Sequence, residues 1–354
     1  MQIRTRNEGP VSPLRYPGAK RWMSGYIARA LDHNDLMPGV FVEPFAGGAS
    51  VALAQLYRGL VNTVILNDRD PLVAAFWHTT FFDTDWLIDQ IWGAEISLNN
   101  WKRLKTQQPT TKRALAFKCI FLNRTNFSGI LTDRAGPIGG QSQTSEYKID
   151  CRFTKETVIR RIEFAAKFRD RVAAVWNLPW HSAIARVQLM QSRGSLPSTA
   201  VYFLDPPFYR KASLLYKHHF SHAQHIALRD FLTKFDDPWI LSYDSCPEIL
   251  SLYRQGGMRA SQVNLIYTAG QGGKKGIGKE LIVSNLRRMV SELQMGIGKT
   301  VSNAIPIKQV RAPLLDFDSA SSPRRTSGLA IASQTKSRLR AAANVRRIEN
   351  KEPA

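Results

Sequence analysis

An alternation of short apolar runs with helical patterns, over residues 40–80 and again over 200–285, constrains the fold of this chain more than any other feature. "GVFVEPFAGG" predicts a buried strand that enters a glycine-rich turn, and "NTVILND" predicts a second strand. Four further strands are predicted at "AVYFLDPPF", "PWILSYD", "QVNLIY" and "KELIVSN". Helices between successive strands make βαβ units, so the pattern predicts an α/β fold around a mostly parallel sheet.

Capping residues mark the ends of the predicted helices. "ASVALAQLYRG" predicts a helix that ends at Gly59, because glycine accepts the left-handed conformation found after many helices. "DPLVAAFWHTTF" predicts a helix with Asp70 as its N-cap and Pro71 in its first turn. Ser221 is expected to cap a third helix, "HAQHIALRDFLTKF".

Composition divides the chain into three parts. Residues 1–80 and 196–290 carry the strand–helix alternation and are expected to form one α/β domain. Residues 81–195 are rich in Trp, Lys and Arg, look mainly helical, and contain the polar loop "RAGPIGGQSQTSEY", so we expect a smaller inserted domain there. Residues 291–354 consist largely of Ala, Ser, Lys and Arg, which predicts a basic, flexible tail with a short helix near its end.

A formal net charge of +21 over 354 residues points to a polyanionic partner. Clustered Lys and Arg release counterions from nucleic acid, which makes it the first candidate; an anionic membrane surface is the second, without a long basic amphipathic helix to support it. The three cysteines lack metal-ligand spacing, so no metal site is predicted. The chain shows neither an apolar run of about 18 residues nor a signal peptide, which is typical of a protein of a reducing cytoplasm.

The segment "EPFAGGAS" predicts a strand, a tight turn and a helix. Gly47 and Gly48 would let a ligand approach the backbone closely, although the spacing is not GxGxxG and an ordinary turn is the alternative. Asp68 ends the next strand, where a carboxylate can accept hydrogen bonds from both hydroxyls of a ribose. Because Asp70 is the better-placed helix cap, we expect Asp68 to be free for such a ligand.

The N-terminal stretch "PLRYPGAKRW" has two interpretations. It is either a simple lead-in loop or a lid, in which Tyr16 packs against a ligand and Lys20 supplies charge near a carboxylate.

The stretch "FLDPPFY" places an acid, two prolines and two aromatic residues at the end of a predicted buried strand. Pro206 and Pro207 have fixed φ and no N–H, so they predict a stiff corner with free carbonyl oxygens. A planar ring with an exocyclic amine fits this corner, stacked on Phe208 and donating to Asp205 and to the Pro206 carbonyl. Two acceptors would localise the nitrogen lone pair, and a methyl donor held in line would complete the reaction by proximity. The alternative is an accidental Pro-Pro turn.

Taken together, these motifs resemble those of the Dam-like (D12 class) adenine-N6 DNA methyltransferases. The resemblance rests on "LRYPGAK", "VEPFAGGASVAL", "LNDRDP", "FLNRTNFSGIL", "YKIDCRFTKETVIRRI", "FLDPPFY", "ILSYD" and "ELIVSN", which run in the family's order from about residue 13 to 285. It implies an S-adenosylmethionine-dependent, Rossmann-like methyltransferase sheet with an inserted, mainly helical target-recognition domain.

The resemblance also assigns residues. It places the cofactor site at Tyr16, Lys20, Phe45, Gly47, Asp68 and Asp205. It places the catalytic tetrapeptide at Asp205, Pro206, Pro207 and Phe208, where Phe208 replaces the more frequent tyrosine and loses its hydroxyl. Whether Tyr209 compensates for that loss stays open here. Arg124 and Asn126 fall on a segment that contacts DNA in the family.

The implied activity is methyl transfer from S-adenosylmethionine to the N6 amine of an adenine flipped out of double-stranded DNA. Transfer from a sulfonium requires no metal. We further expect a monomer that does not bind membranes and that acts in the cytoplasm of a prokaryotic or phage-infected cell. Its expected specificity is for a short DNA site, as in restriction–modification systems. The alternatives are a cytosine-N4 DNA methyltransferase, an RNA base methyltransferase and a catalytically silent DNA-binding protein on the same scaffold.

Three other patterns are set aside. "GGKKGIGKE" is close to a P-loop, but Glu280 stands where Ser or Thr is needed and a strand follows instead of a helix. The four histidines of "HHFSHAQH" are interpreted as surface or DNA-facing groups rather than as zinc ligands. In "SCPE" the order of Pro and Cys246 is the reverse of that in the cytosine-C5 methyltransferases.

Overall fold

The computed structural model describes residues 12–18, 20–210, 212–254, 258–267 and 276–290, and the predicted basic tail lies outside them. Its strands are β1 (Val40–Glu43), β2 (Thr63–Asn67), β3 (Val172–Trp176), β4 (Ala200–Leu204), β5 (Trp239–Asp244), β6 (Arg259–Tyr267) and β7 (Gly276–Ser284). Its helices are α1 (Met23–His33), α2 (Ser50–Tyr57), α3 (Pro71–Phe82), α4 (Thr84–Gly93), α5 (Leu98–Thr106), α6 (Lys112–Thr125), α7 (Lys155–Ala166), α8 (Trp180–Ser192), α9 (Ala212–Leu215), α10 (His222–Leu232) and α11 (Pro247–Arg254).

The seven strands form one sheet in the order β3-β2-β1-β4-β5-β7-β6. The first five are parallel to their neighbours, with Val42 opposite both Ile65 and Tyr202, while β7 runs antiparallel to β5 and to β6. All six strands expected from the sequence are present, and the mostly parallel sheet is confirmed. The order reverses between β1 and β4, which creates a crevice at the carboxyl ends of these two strands.

Helices cover both faces of the sheet, as a parallel sheet requires. Phe41 and Phe203 point into a core shared with α1, α2 and α3, whereas Val42 and Tyr202 point into the opposite core. Every residue of β1 and β4 is buried. These two central strands are therefore the rigid support from which the site residues project.

The predicted helix caps are confirmed. The Asp70 side chain accepts a hydrogen bond of 2.9 Å from the Leu72 N–H at the start of α3, and Ser221 forms a capping box at the start of α10. Gly59 follows α2 at φ +69°, the left-handed conformation expected of it.

The middle of the chain is mainly helical, but it is not separate from the sheet. Apolar side chains of α4 to α7 share one continuous core with α3. In the polar loop that precedes α7, Gln143 donates to the Ile138 carbonyl (2.7 Å) and accepts from the Ile149 N–H (2.9 Å). Strand β3 lies inside the range 81–195 expected to be inserted, yet it is the edge strand of the central sheet. It gave little signal because "VAAVW" is short, Ala-rich and only partly buried.

Within the described ranges, no helix combines the length and the apolar character that crossing a membrane requires.

Candidate active site

A cavity of about 630 Å³ opens at the point where the strand order reverses. Glu43 and the loop after β1, Asp68 after β2 and Asp205 after β4 all line it. Its size and position are those of a ligand site in an open α/β sheet. The cavity therefore brings together Asp68 and Asp205, which the sequence assigned to one site, and adds Glu43.

The glycine loop after β1 lets the backbone and an aromatic ring lie unusually close together. Gly47 has φ +45°, and a Cβ placed there would lie 2.7 Å from a ring carbon of Tyr16. Its carbonyl accepts a hydrogen bond of 2.8 Å from the indole of Trp77, which holds the loop onto α3. Only glycine satisfies both the conformation and the contact with Tyr16.

Asp68 is buried against this loop and is not free, contrary to the sequence-based expectation. Its carboxylate accepts the N–H of Gly47 at 2.8 Å and the N–H of Asp70 at 2.9 Å. Burial, reinforced by the charge of Asp70, raises the pKa of Asp68 to about 7. The side chain lines the cavity, so it both positions the glycine loop and faces the cavity.

Glu43 is a second buried carboxylate in the cavity wall, which sequence reasoning missed. It accepts the N–H of Ala52 at 2.7 Å, and burial raises its pKa to about 8. Neither Glu43 nor Asp68 forms an ion pair within the described part of the chain. The sequence signal that could have identified Glu43 is its position as the charged last residue of the otherwise apolar strand β1.

Lys20, which also lines the cavity, lies between two carboxylates. Its ammonium is 3.0 Å from Asp205 and 3.6 Å from Glu280 of β7, and it also donates to the Gly18 carbonyl at 3.0 Å. The prediction that Lys20 supplies charge near a carboxylate is confirmed in its geometry. Glu280 was noted only as the residue that disqualifies a P-loop, and it was not expected at the site.

The protonation of this group follows from burial and the neighbouring charges. Burial raises the pKa of Asp205 to about 6, with Lys20 lowering it and with Glu280 and Asp244 raising it. The pKa of Lys20 is raised because the pull of Asp205 and Glu280 exceeds the effect of its burial. Near neutral pH, Lys20 is thus a cation and Asp205 is mostly a carboxylate.

Pro206 and Pro207 make the expected corner after β4. Pro207 lines the cavity, whereas Pro206 and Phe208 are not among its lining residues. The Phe208 ring packs edge-on against Tyr216 at 5.8 Å, with the Lys20 ammonium 5.0 Å from the ring centroid. A Cβ on Gly18 would lie 2.7 Å from this ring, so the loop that carries Tyr16 approaches it closely. The Tyr209 hydroxyl lies 3.0 Å from a ring nitrogen of His222 on α10, so it does not replace the hydroxyl missing from Phe208.

A segment that precedes α10 covers the cavity. Tyr216 donates to the Pro17 carbonyl at 3.2 Å, and the ring of Phe220 packs edge-on against Phe45 at 5.8 Å. Residues 216–220 all line the cavity. The N-terminal loop that contains Pro17 and the segment 216–220 thus meet at the cavity. No local sequence pattern indicated this contact.

Arg124 and Asn126 are not placed for DNA contact, which corrects the expectation for both. Arg124 is buried and donates to the Pro13 carbonyl, and burial lowers its pKa to about 9. Asn126 is fully buried, accepting from the Trp101 indole at 2.7 Å and donating to the Ile130 carbonyl at 2.6 Å. Phe127 and Ser128 are the exposed residues of this segment, and Phe127 has 62% of its surface accessible.

The histidine cluster is divided by the fold. His218 and His219 line the cavity, His222 is exposed, and His225 is buried with its Nδ1 2.6 Å from the Tyr243 hydroxyl. The expectation of surface or DNA-facing groups is therefore wrong for His225. Among the described residues, no three His, Cys, Asp or Glu side chains are grouped so that they could hold a metal ion.

A seven-stranded sheet with one inserted antiparallel strand, whose switch point holds a glycine loop and acidic strand ends, defines the class of S-adenosylmethionine-dependent methyltransferases. Within that class, the model of the D12 class N6 adenine-specific DNA methyltransferases matches residues 16–268. The chain belongs to this family and is an enzyme of adenine-N6 methylation in DNA. No curated protein matches the chain.

Proposed function

We propose that the cavity binds S-adenosylmethionine beside an adenine extruded from the duplex, and that Asp205 and the proline corner present its N6 amine to the methyl group. The observation that carries this proposal is the Asp205 carboxylate, which lies at the cavity wall beside Lys20 and directly before Pro206 and Pro207.

The residues around the glycine loop fit the methyl donor. Asp68 and Glu43 offer buried carboxyl oxygens to ribose hydroxyls, and Tyr16 and Phe45 offer apolar faces to a purine. Gly47 lines the cavity, and its lack of a Cβ lets the Tyr16 ring lie against the loop. When bound, S-adenosylmethionine supplies an electrophilic methyl group on a sulfonium.

The corner activates the nucleophile. Asp205 accepts one N6 hydrogen and the Pro206 carbonyl accepts the other, so the lone pair is drawn out of conjugation with the ring. The N6–methyl bond then forms as the bond from the methyl carbon to the donor sulfur breaks. The cationic product loses one N6 proton to Asp205, the nearest base, and the proton passes on to water. Lys20 holds Asp205 in place and favours its ionised form.

The DNA is held beside the lead-in loop. Arg15 and Arg161 lie among other guanidinium groups and form no ion pair within the described residues, so they can neutralise phosphates. The exposed ring of Phe127 can occupy the space that the extruded adenine leaves in the stack. Arg124 and Asn126 support this turn from beneath. We place the end of the inserted recognition segment before Val172, where β3 begins.

Two measurements test the proposal. Purified protein is incubated with labelled S-adenosylmethionine and DNA free of N6-methyladenine, and the nucleosides are identified by mass spectrometry. We expect N6-methyladenine from the native chain and none from Asp205→Ala, which should still bind duplex DNA. Methylation of another nucleotide, or undiminished activity of Asp205→Ala, refutes the proposal. Modification-sensitive long-read sequencing of DNA from expressing cells gives the recognised site.

A further inference from the structure

We propose that Asp244 is a positioning residue for the catalytic corner, which sets the place of Phe208 relative to Asp205. This inference rests on the proposed role of Asp205 and on the expectation from the sequence that the adenine stacks on Phe208. Asp244 itself is not expected to touch the adenine or the methyl donor.

The geometry comes from two neighbouring parallel strands. Leu204 of β4 pairs with Leu241 of β5, so Asp244 lies at the carboxyl end of β5, next to the chain that leaves β4. Its Oδ1 accepts the backbone N–H of Tyr209 at 2.9 Å, and its Oδ2 accepts that of Arg210 at 3.3 Å. One carboxylate thereby holds two successive amides just beyond Phe208.

The two prolines explain why the corner needs an external acceptor. Pro206 and Pro207 restrict φ but have no N–H, so neither can donate a backbone hydrogen bond that would tie the corner to the sheet. Phe208 has the first amide after them, followed by the two amides that Asp244 holds. Hydrogen bonds to a carboxylate are stronger and shorter than those to a neutral acceptor. Asp244 therefore determines where the chain goes after Phe208 and, with it, where the aromatic ring lies.

Side-chain contacts at the corner are weaker restraints. The Tyr209 ring packs against His225 at 4.9 Å between centroids, which fixes the far side of the corner but not its backbone. The Arg210 side chain pairs with Glu248 of α11 at 3.0 Å, an exposed ion pair that leaves the Arg210 amide untouched. Glu248→Gln is thus a matched control: it removes a carboxylate charge from the same corner and leaves the hydrogen bonds from the Tyr209 and Arg210 amides to Asp244 in place.

The experiment measures single-turnover methylation of plasmid DNA free of N6-methyladenine, together with the Kd for S-adenosylmethionine and the melting temperature. Because a misplacement of about 1 Å at a reacting centre can cost about 100-fold in rate, we expect Asp244→Ala to slow methylation about 30- to 100-fold. Its Kd should stay within about threefold, since two amide contacts outside the donor site are lost. Asp244→Asn keeps one acceptor oxygen, so its loss should be about tenfold. Glu248→Gln should stay within about twofold of the native rate.

The outcomes separate this inference from the proposed function. If Asp244→Ala keeps its rate within about threefold, or loses rate, donor affinity and melting temperature together, positioning by Asp244 is wrong. If Asp244→Ala does not fold, Asp244→Asn decides: a slowed rate at unchanged donor affinity supports the inference, and an unchanged rate overturns it. If Asp205→Ala still methylates adenine, the proposed function itself fails. An inactive Asp205→Ala beside a fully active Asp244→Ala overturns only the present inference.

Discussion

Neutralising Glu280 should make the enzyme work better in acid. Asp205 must be ionised to accept an N6 hydrogen, and its pKa of about 6 results from burial, from Lys20 at 3.0 Å, and from Glu280 on the far side of Lys20. Ser242 donates to Glu280 at 3.2 Å, so glutamine at position 280 can keep that hydrogen bond. The Glu280→Gln variant therefore changes charge with little change in shape.

The expected change in the methylation rate follows from the fraction of Asp205 that is ionised. At pH 5 a carboxyl group with a pKa of about 6 is ionised in about one molecule in ten, so the native rate should be about a tenth of its plateau. Loss of the Glu280 charge lowers the pKa of Asp205, which raises the pH 5 rate by up to about tenfold relative to the plateau. Lys20→Met removes the opposing positive charge, which raises the pKa of Asp205. As the pH is lowered, the rate of this variant should therefore begin to fall at a higher pH than the rate of the native enzyme.

The assay is single-turnover methylation between pH 5 and pH 9 at saturating S-adenosylmethionine. Saturation is needed because Asp68 and Glu43, whose pKa values are about 7 and about 8, line the same cavity and would change donor affinity. Asp83→Asn, which removes an exposed carboxylate paired with Arg113, is the control and should leave the profile unchanged. The reasoning fails if Glu280→Gln does not shift the fall of the rate at acidic pH, or if Lys20→Met shifts this fall to lower pH.

Three further outcomes follow from the geometry. Gly47→Ala should weaken binding of S-adenosylmethionine by about tenfold or more, measured by calorimetry, because its Cβ would strike Tyr16 at a positive φ; unchanged affinity would contradict the described contact. Phe127→Ala should weaken duplex binding in a gel-shift assay by about tenfold and leave the melting temperature unchanged, since the ring is exposed; a large loss of stability would instead make it a core residue. Glu43→Gln should flatten the pH dependence of stability between pH 5 and pH 8. Because the pKa of Glu43 rises from 4.5 to about 8 on folding, the native protein loses stability as pH increases through this range, and parallel melting curves of the two proteins would disprove that role.

Local pattern was sufficient for six of the seven described strands, for the helix caps, and for the acidic strand ends Asp68 and Asp205. β1 before Glu43 and all of β4 are continuous apolar runs, Asp70 and Ser221 directly precede helix-forming segments, and each of these signals lies within a few residues of the element it marks. Strand β3 was not predicted, because an Ala-rich edge strand shows neither a long apolar run nor a clear alternation of apolar and polar residues.

The sequence by itself determined the α/β class, the glycine loop and the carboxylate with its proline corner, since these depend on residue type and short spacing. Only the tertiary structure decided which charges meet. Glu280 reaches Lys20 from an antiparallel strand 260 residues away in the chain, and Arg124 and Asn126 turn inward because α6 packs on its neighbours. Burial and long-range charge are properties of the packed molecule, so a local motif fixes a side chain's chemistry but not whether it faces a ligand, solvent or the core.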